Sequence, residues 1–212
     1  MIELPNPWAC IPQWRDHALL SVAPVVPMPL SGEILPVERG RRRYVVARDG
    51  LYVQARTGAL DITLRMAPLQ LRHVGELSES IVLPGSELPR ELFQEMQLHA
   101  IAAHPQEWAA LVHWHPSERR YVLTVPEVVE HSCSEITYQT TQLDRDWLVL
   151  NIHSHGDSDA YFSHQDNHSD QFGVYFASVL GHCQSERTIR PMTRLVVDGH
   201  FFSLDWHPWE DA

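Results

Sequence analysis

The chain has 212 residues, 44% of them hydrophobic and 20% charged, enough to bury one large core or a core with a substantial extension. A formal net charge of -11 argues against a nucleic-acid partner, because proteins that grip phosphate backbones carry basic stripes. Three cysteines without a CxxC pair form neither a disulfide framework nor a thiolate zinc knot, no apolar run reaches membrane-spanning length, and the first residues lack a signal peptide's basic and apolar regions; the expected setting is a reducing cytoplasm, away from the membrane.

Proline marks the first forty residues, with Pro24, Pro27 and Pro29 close together, and predicts extended chain docked through Trp8 and Trp14. The basic run Arg41-Arg42-Arg43 precedes a strand-like segment and reads as a solvated edge guard. Tyr44 to Ala47, the Asp49-Gly50 turn and Leu51 to Val53 form a hairpin signal; Arg56-Thr57-Gly58 is a second turn, followed by alternating Leu60, Ile62, Leu64 and Met66. Residues 40 to 83 thus read as a small antiparallel sheet.

A helix is predicted next, capped by Ser86, with Pro89 in its first turn and Leu92, Phe93, Met96, Ala100, Ile101 and Ala103 on one face; Pro105 stops it. Strands are predicted at Trp108 to Trp114, Tyr121 to Val125, Val128 to Tyr138, Trp147 to His153 and Phe172 to Leu180. The Asp198-Gly199 turn joins Leu195-Val196-Val197 to Phe201-Phe202-Ser203-Leu204 as a final hairpin, and His207-Pro208-Trp209 reads as an aromatic tail packed on the body.

Two histidines on one strand, His153 and His155, point to the same face about 6.6 Å apart along the backbone, a spacing that lets both rings converge on one ion. Asp166, reached after Gly156 and a polar loop, can return a carboxylate as third ligand from the start of a helical turn. Two imidazoles and a carboxylate leave a fourth position open, the pattern of catalytic zinc. Ser163 would lie beside that position and donate to a developing oxyanion. Glu107 has the best context for a general base among Glu95, Glu107, Glu118, Glu127, Glu130 and Glu135, because it follows Pro105 and opens a strand. Taken singly, the histidines read as a polar pair, Ser163-x-x-Asp166 as a capping box, and Glu107 as a solvated strand end; their conjunction points to a metal. His164 and His168 read as surface, Asp157 and Asp159 lie too near His155 to compete as ligand, and Asp170 reads as a turn support.

These residues resemble the JAB1/MPN/Mov34 (JAMM) metalloproteases, whose pattern is a glutamate, a distant HxH, seven residues, Ser, two residues, Asp. Glu107, His153, His155, Ser163 and Asp166 match each position, and Ala102-Ala103-His104-Pro105-Gln106-Glu107 is similar to the family's helix–Pro–x–Glu entry. The resemblance covers roughly residues 88 to 204. His153-Ser154-His155-Gly156 with Ala160-Tyr161-Phe162-Ser163 is most similar to the PRTRC-cassette subgroup, which also encodes a ThiF/E1-like protein. The chain departs from the family at Trp108-Ala109-Ala110, where small residues such as glycine often follow the glutamate, and the bulk of Trp108 is expected to narrow the substrate groove.

The resemblance implies an α+β fold: a cytidine-deaminase-like core, a mixed sheet with flanking helices, over residues 86–212, preceded by a proline-rich and β-rich part over 1–85. It further implies Zn2+ on His153, His155 and Asp166, Glu107 as base and proton donor, and Ser163 supporting the tetrahedral intermediate. The implied substrate is a peptide or isopeptide bond at the tail of a ubiquitin-like protein. A catalytically silent MPN-type scaffold is the alternative from another class; filled ligand positions favour activity. The metallo-β-lactamase pattern would need histidine where Ser158 stands, and in amidohydrolase barrels the HxH falls near the start of the chain.

Overall fold

The computed structural model describes residues 22–85, 87–126, 128–131, 136–138 and 145–209. Ser86, Trp8, Trp14 and the middle of the segment from Val128 to Tyr138 lie outside the described residues. The chain forms two compact units, one from the chain up to Arg56 together with Ile62–Ile81, the other from Thr57–Asp61 and Val82 onward.

The first unit is built on a five-stranded sheet in the order β1 (Val25–Pro27), β2 (Arg41–Val46), β3 (Gly50–Arg56), β4 (Asp61–Pro68) and β5 (Ser80–Val82). Proline-flanked β1 sits at the sheet's edge, the place where a missing N–H is tolerated, and pairs parallel to β2. Val45, Ala47 and Tyr52 form a buried cluster with Val26, Met28, Ile34 and Leu77 packed against it. The arginine run corrects its sequence reading in one respect. Arg41–Arg43 belong to β2 itself and pair with β3, but β1 reaches only Tyr44–Val46, so the arginines occupy the open stretch of that side.

The second unit holds a six-stranded mixed sheet, ordered β13-β12-β11-β10-β6-β7: β6 (Ala109–His115), β7 (Arg120–Thr124), β10 (Leu148–Ser154), β11 (Val174–Gly181), β12 (Arg190–Val197) and β13 (His200–Ser203). β8 (Val128–His131) and β9 (Ile136–Tyr138) pair separately as an antiparallel hairpin. All eight residues of β11 are buried, as expected for a central strand covered on both faces. β12 begins at Arg190, five residues before the apolar run that signalled it, because Thr193 and Arg194 are polar yet buried. At its end Asp198 and Gly199 both take positive φ (47° and 80°), the geometry of a two-residue hairpin turn whose twist matches the strands.

Registers sort the side chains into two faces. His153 pairs with Val179 on β11 and Ala109 on β6, and Ala177 pairs with Arg194 on β12, so His153, Asn151, Tyr175, Ala177, Val179 and Arg194 share one face. The opposite face carries Ile152, Phe176, Ser178 and Thr193. There the aromatic tail docks as predicted: Trp206 meets Phe176 edge-on at 5.8 Å, and His207 Nδ1 lies 2.8 Å from Thr193 Oγ1. Helix α1 (Arg90–Ala103) stacks Phe93 on Trp209 at 4.3 Å and buries Met96 and Ala100. Pro89 precedes α1 as its N-cap residue rather than lying within the first turn, and His104 followed by Pro105 ends it.

β10 and β11 run parallel, which requires a crossover. That crossover contains α2 (His164–Ser169) and lies on the His153 face, held there by Tyr175 and Arg194, each hydrogen-bonded to Asp170 at the helix's C-cap. The expected turn support at Asp170 is thus a buried anchor, 3% exposed and ion-paired to Arg194 at 2.7 Å. The result is an α+β core with a helix and tail on one face and a short crossover helix on the other.

Candidate metal centre

The site forms where β10 ends, at the carboxyl edge of the parallel pair. Strand alternation aims His153 and His155 the same way, and their Nε2 atoms lie 3.1 Å apart. Asp166 Oδ1 lies 3.4 Å from His153 Nε2. The ligand atoms of His153, His155 and Asp166 all fall within 4.8 Å of one another, the one such group of histidine, cysteine or carboxylate side chains among the described residues. In a tetrahedral zinc site, ligands about 2.0 to 2.1 Å from the metal stand about 3.3 Å from each other. The two measured separations bracket that value, so these residues fit the ion.

Neighbouring groups orient two of the candidate ligands, His155 and Asp166. His155 Nδ1 lies 3.3 Å from the carbonyl oxygen of Asp159. A carbonyl only accepts, so this contact puts the proton on Nδ1 and leaves the Nε2 lone pair facing the site. The Tyr161 ring meets His155 edge-on at 4.6 Å. Asp166 is oriented by the helix it begins. Its Oδ2 accepts from Ser163 N–H at 2.6 Å while Ser163 Oγ accepts from Asp166 N–H at 3.1 Å, a complete capping box. The cap uses one carboxylate oxygen and leaves the other facing His153. The helix-cap and ligand readings of Ser163-x-x-Asp166 are therefore compatible, and Ser163 keeps its own O–H for donation elsewhere.

Two glycines make the connecting loop possible. Gly156 takes φ +55°, and a Cβ there would come within 2.5 Å of the carbonyl oxygen of Pro105. A Cβ on Gly181 would meet the backbone nitrogen of Ala160 at 2.3 Å, so that glycine lets the loop lie across the end of β11.

The close approach at Pro105 brings the segment before β6 beside the histidines. Ser154 N–H donates to Trp108 O at 2.8 Å and Trp108 N–H donates to Ser154 Oγ at 2.9 Å. Continuing the His153–Ala109 register by two residues puts Glu107 opposite His155, and opposed residues in an antiparallel pair share a face. Glu107 is 7% exposed, so its reading as a solvated strand end is replaced by that of a buried carboxylate beside the site. Trp108 alternates to the other face and stacks on His99 of α1 at 5.6 Å, which turns its bulk away from the groove it was expected to narrow.

Asp157 and Asp159 are engaged elsewhere, Asp157 with His104 (2.8 Å) and Gln184 (2.6 Å), and Asp159 with His182 (2.7 Å). His164 and His168 are exposed, as read from the sequence. Sequence reasoning gave Asp170 only a turn-supporting role and missed Arg194 and Tyr175, its partners in the buried polar group behind the site; an arginine directly before the apolar run Leu195-Val196-Val197 was the available signal.

Burial pushes His153 down to about 4, against the pull of Asp166, and also lowers His155, so both rings are neutral and ready to coordinate near pH 7. In the unfolded chain His153 titrates near 6.5. Between those values unfolding takes up a proton that the folded protein refuses. The metal-free protein is therefore expected to be fully stable above about pH 6.5 and to lose on the order of 2–3 kcal/mol as pH falls towards 4. Denaturant unfolding of metal-free protein across that range checks this; the same slope in His153→Asn would contradict it.

With the geometry in place, the comparisons with known proteins define the class. Prokaryotic homologs of the JAB domain match residues 89–195, and a domain of unknown function, DUF2016, matches residues 13–84. The first match spans just over half the chain, and this protein belongs to that prokaryotic JAB/MPN family. Among solved structures, a Desulfitobacterium hafniense protein solved in solution is 16% identical, with a TM-score of 0.42, covering 55% of this chain and 88% of its own. A structure described as a metalloprotease-like zinc site in the proteasome and signalosome is 18% identical, with a TM-score of 0.34, covering 56% and 93%. No curated protein matches the chain. Among the described residues no helix is long and apolar enough to cross a membrane.

Proposed function

We propose that this protein is a zinc-dependent peptidase that hydrolyses a peptide or isopeptide bond at the tail of a ubiquitin-like protein. The observation that carries the reading is the ligand geometry: donor separations of 3.1 and 3.4 Å among two neutral imidazoles and one carboxylate. His153, His155 and Asp166 would hold the ion. When bound, zinc supplies Lewis acidity that lowers the pKa of water and polarises a carbonyl. The chain's own residues do the rest. Glu107, opposite His155, takes the proton of the attacking water and passes it to the departing amine. The Ser163 hydroxyl donates to the carbonyl oxygen as negative charge develops there. The capping box keeps that hydroxyl and the Asp166 carboxylate in fixed relation.

The expected partners are a small ubiquitin-like protein or its conjugate and a ThiF/E1-like protein. The test combines metal analysis with cleavage of a ubiquitin-like conjugate. Purified protein is expected to carry zinc, to lose cleavage when stripped with a chelator, and to regain it with zinc. Cleavage that survives stripping contradicts the mechanism. A protein that neither holds metal nor cuts any such tail is instead a silent scaffold of the same family.

A further inference from the structure

Arg194 lies inside β12, on the same sheet face as His153, with its side chain 6% exposed. Its guanidinium carbon stands 3.8 Å from the centre of the Phe162 ring and 3.9 Å from that of Phe201. Nη1 donates to Asn167 Oδ1 at 2.5 Å and Nη2 to Asp170 Oδ2 at 2.7 Å. Tyr175 O–H donates to the other Asp170 oxygen at 2.6 Å. Phe162 immediately precedes Ser163, and Asn167 immediately follows Asp166. The guanidinium thus touches both flanks of the capping box.

We propose that Arg194 is a positioning residue for the metal centre, gripping the chain before Ser163 and after Asp166 so that the Asp166 carboxylate is held against the two imidazoles. The proposal rests on the metal reading above and names a residue behind the ligands that maintains them. Helix α2 has six residues, far below the length at which a helix holds its own shape in water, so tertiary contacts must fix it. Asn167 and Asp170 tie it to the sheet through Arg194 and Tyr175. Stability alone is a poor reason to bury this cation. Desolvating an ion pair commonly cancels its attraction, and apolar residues of like volume do as well or better. Arg194 Nε also lacks a hydrogen-bond partner among the described residues, a cost that an apolar side chain would avoid. What an apolar side chain cannot supply is a planar fork that ties two points of one turn to a strand.

The test uses the full chain with cobalt(II) as spectroscopic probe and zinc affinity by chelator competition. Arg194→Met combined with Asp170→Asn keeps the packing between the phenylalanine rings and strands no buried carboxylate; Asn167→Ala removes a single tie. The double variant is expected to bind zinc about 10- to 100-fold more weakly, with an altered cobalt spectrum. Asn167→Ala is expected to shift both in the same direction by a smaller factor, with unchanged thermal unfolding of its metal-free form. Wild-type affinity and spectrum in both variants would overturn the proposal. If the double variant does not fold, Asn167→Ala decides: a wild-type spectrum and affinity there overturns it too. Failure of the wild-type chain to bind either ion strikes at the metal reading itself, a separate result.

Discussion

Glu107→Gln is expected to lower the rate of hydrolysis by about 10³-fold or more while leaving zinc content unchanged. Glutamine matches the shape of glutamate, so a side chain 7% exposed is replaced without a cavity or a clash. What is lost is the proton acceptor. A positioned general base contributes about 10² to 10⁴ in rate, and here one carboxylate is asked both to take the water proton and to deliver it to the leaving amine, which places the expected loss in the upper half of that range. The extended β6–β10 register puts Glu107 opposite His155 rather than among the grouped ligand atoms, so removing its charge leaves His153, His155 and Asp166 free to coordinate. The measurements are initial rates on a ubiquitin-like conjugate and metal analysis of the same sample. Activity within tenfold of wild type, with zinc bound, would remove Glu107 from the chemistry. Loss of zinc together with activity would make it a support of the site instead.

The facing of His153 with His155 and the Ser163–Asp166 cap were legible because local rules fix them, whereas the return of Asp166 to His153 depends on the crossover. Strand alternation puts two histidines on one face whatever the fold, and a capping box forms over four residues. The Glu107 placement was only partly legible: Pro105 announces the end of α1, but only the register of β6 against β10 shows that the glutamate lies opposite His155. Of Arg194 only its position directly before an apolar run was legible, not its role. Its partners Asn167 and Asp170 are 27 and 24 residues away in sequence, and nothing local announces that pairing. The same holds for β12, whose first residues, Arg190 to Arg194, carry no apolar run and become strand through pairing with β11. The arginine run carries no apolar alternation to mark it as strand, yet pairing with β3 continues through Arg41.

Asp166→Asn separates the helix cap that this carboxylate forms from its proposed role as a metal ligand. Oδ2 caps α2 by accepting from Ser163 N–H at 2.6 Å, and Oδ1 stands 3.4 Å from His153 Nε2. An asparagine can keep its carbonyl oxygen on the cap and turn its NH₂ towards His153. The metal-free variant is therefore expected to unfold within about 1 kcal/mol of wild type, since a lost cap costs about 1 kcal/mol and this one is retained. Zinc affinity is expected to fall at least about 100-fold, some 2.7 kcal/mol, because a neutral amide replaces the only anionic ligand and presents a donor to the ion. Asp166→Ala loses the cap as well and should add roughly 1 kcal/mol of destabilisation in the metal-free protein. Ser163→Ala gives the complementary pattern: a similar loss of cap stability, zinc retained, and hydrolysis slowed by about 10² to 10³ through the missing donor. Denaturant unfolding of stripped protein and chelator competition on loaded protein measure the two quantities independently. If Asp166→Asn holds zinc as tightly as wild type and Asp166→Ala loses only stability, the carboxylate is a helix cap and nothing more, and the three-ligand centre is wrong.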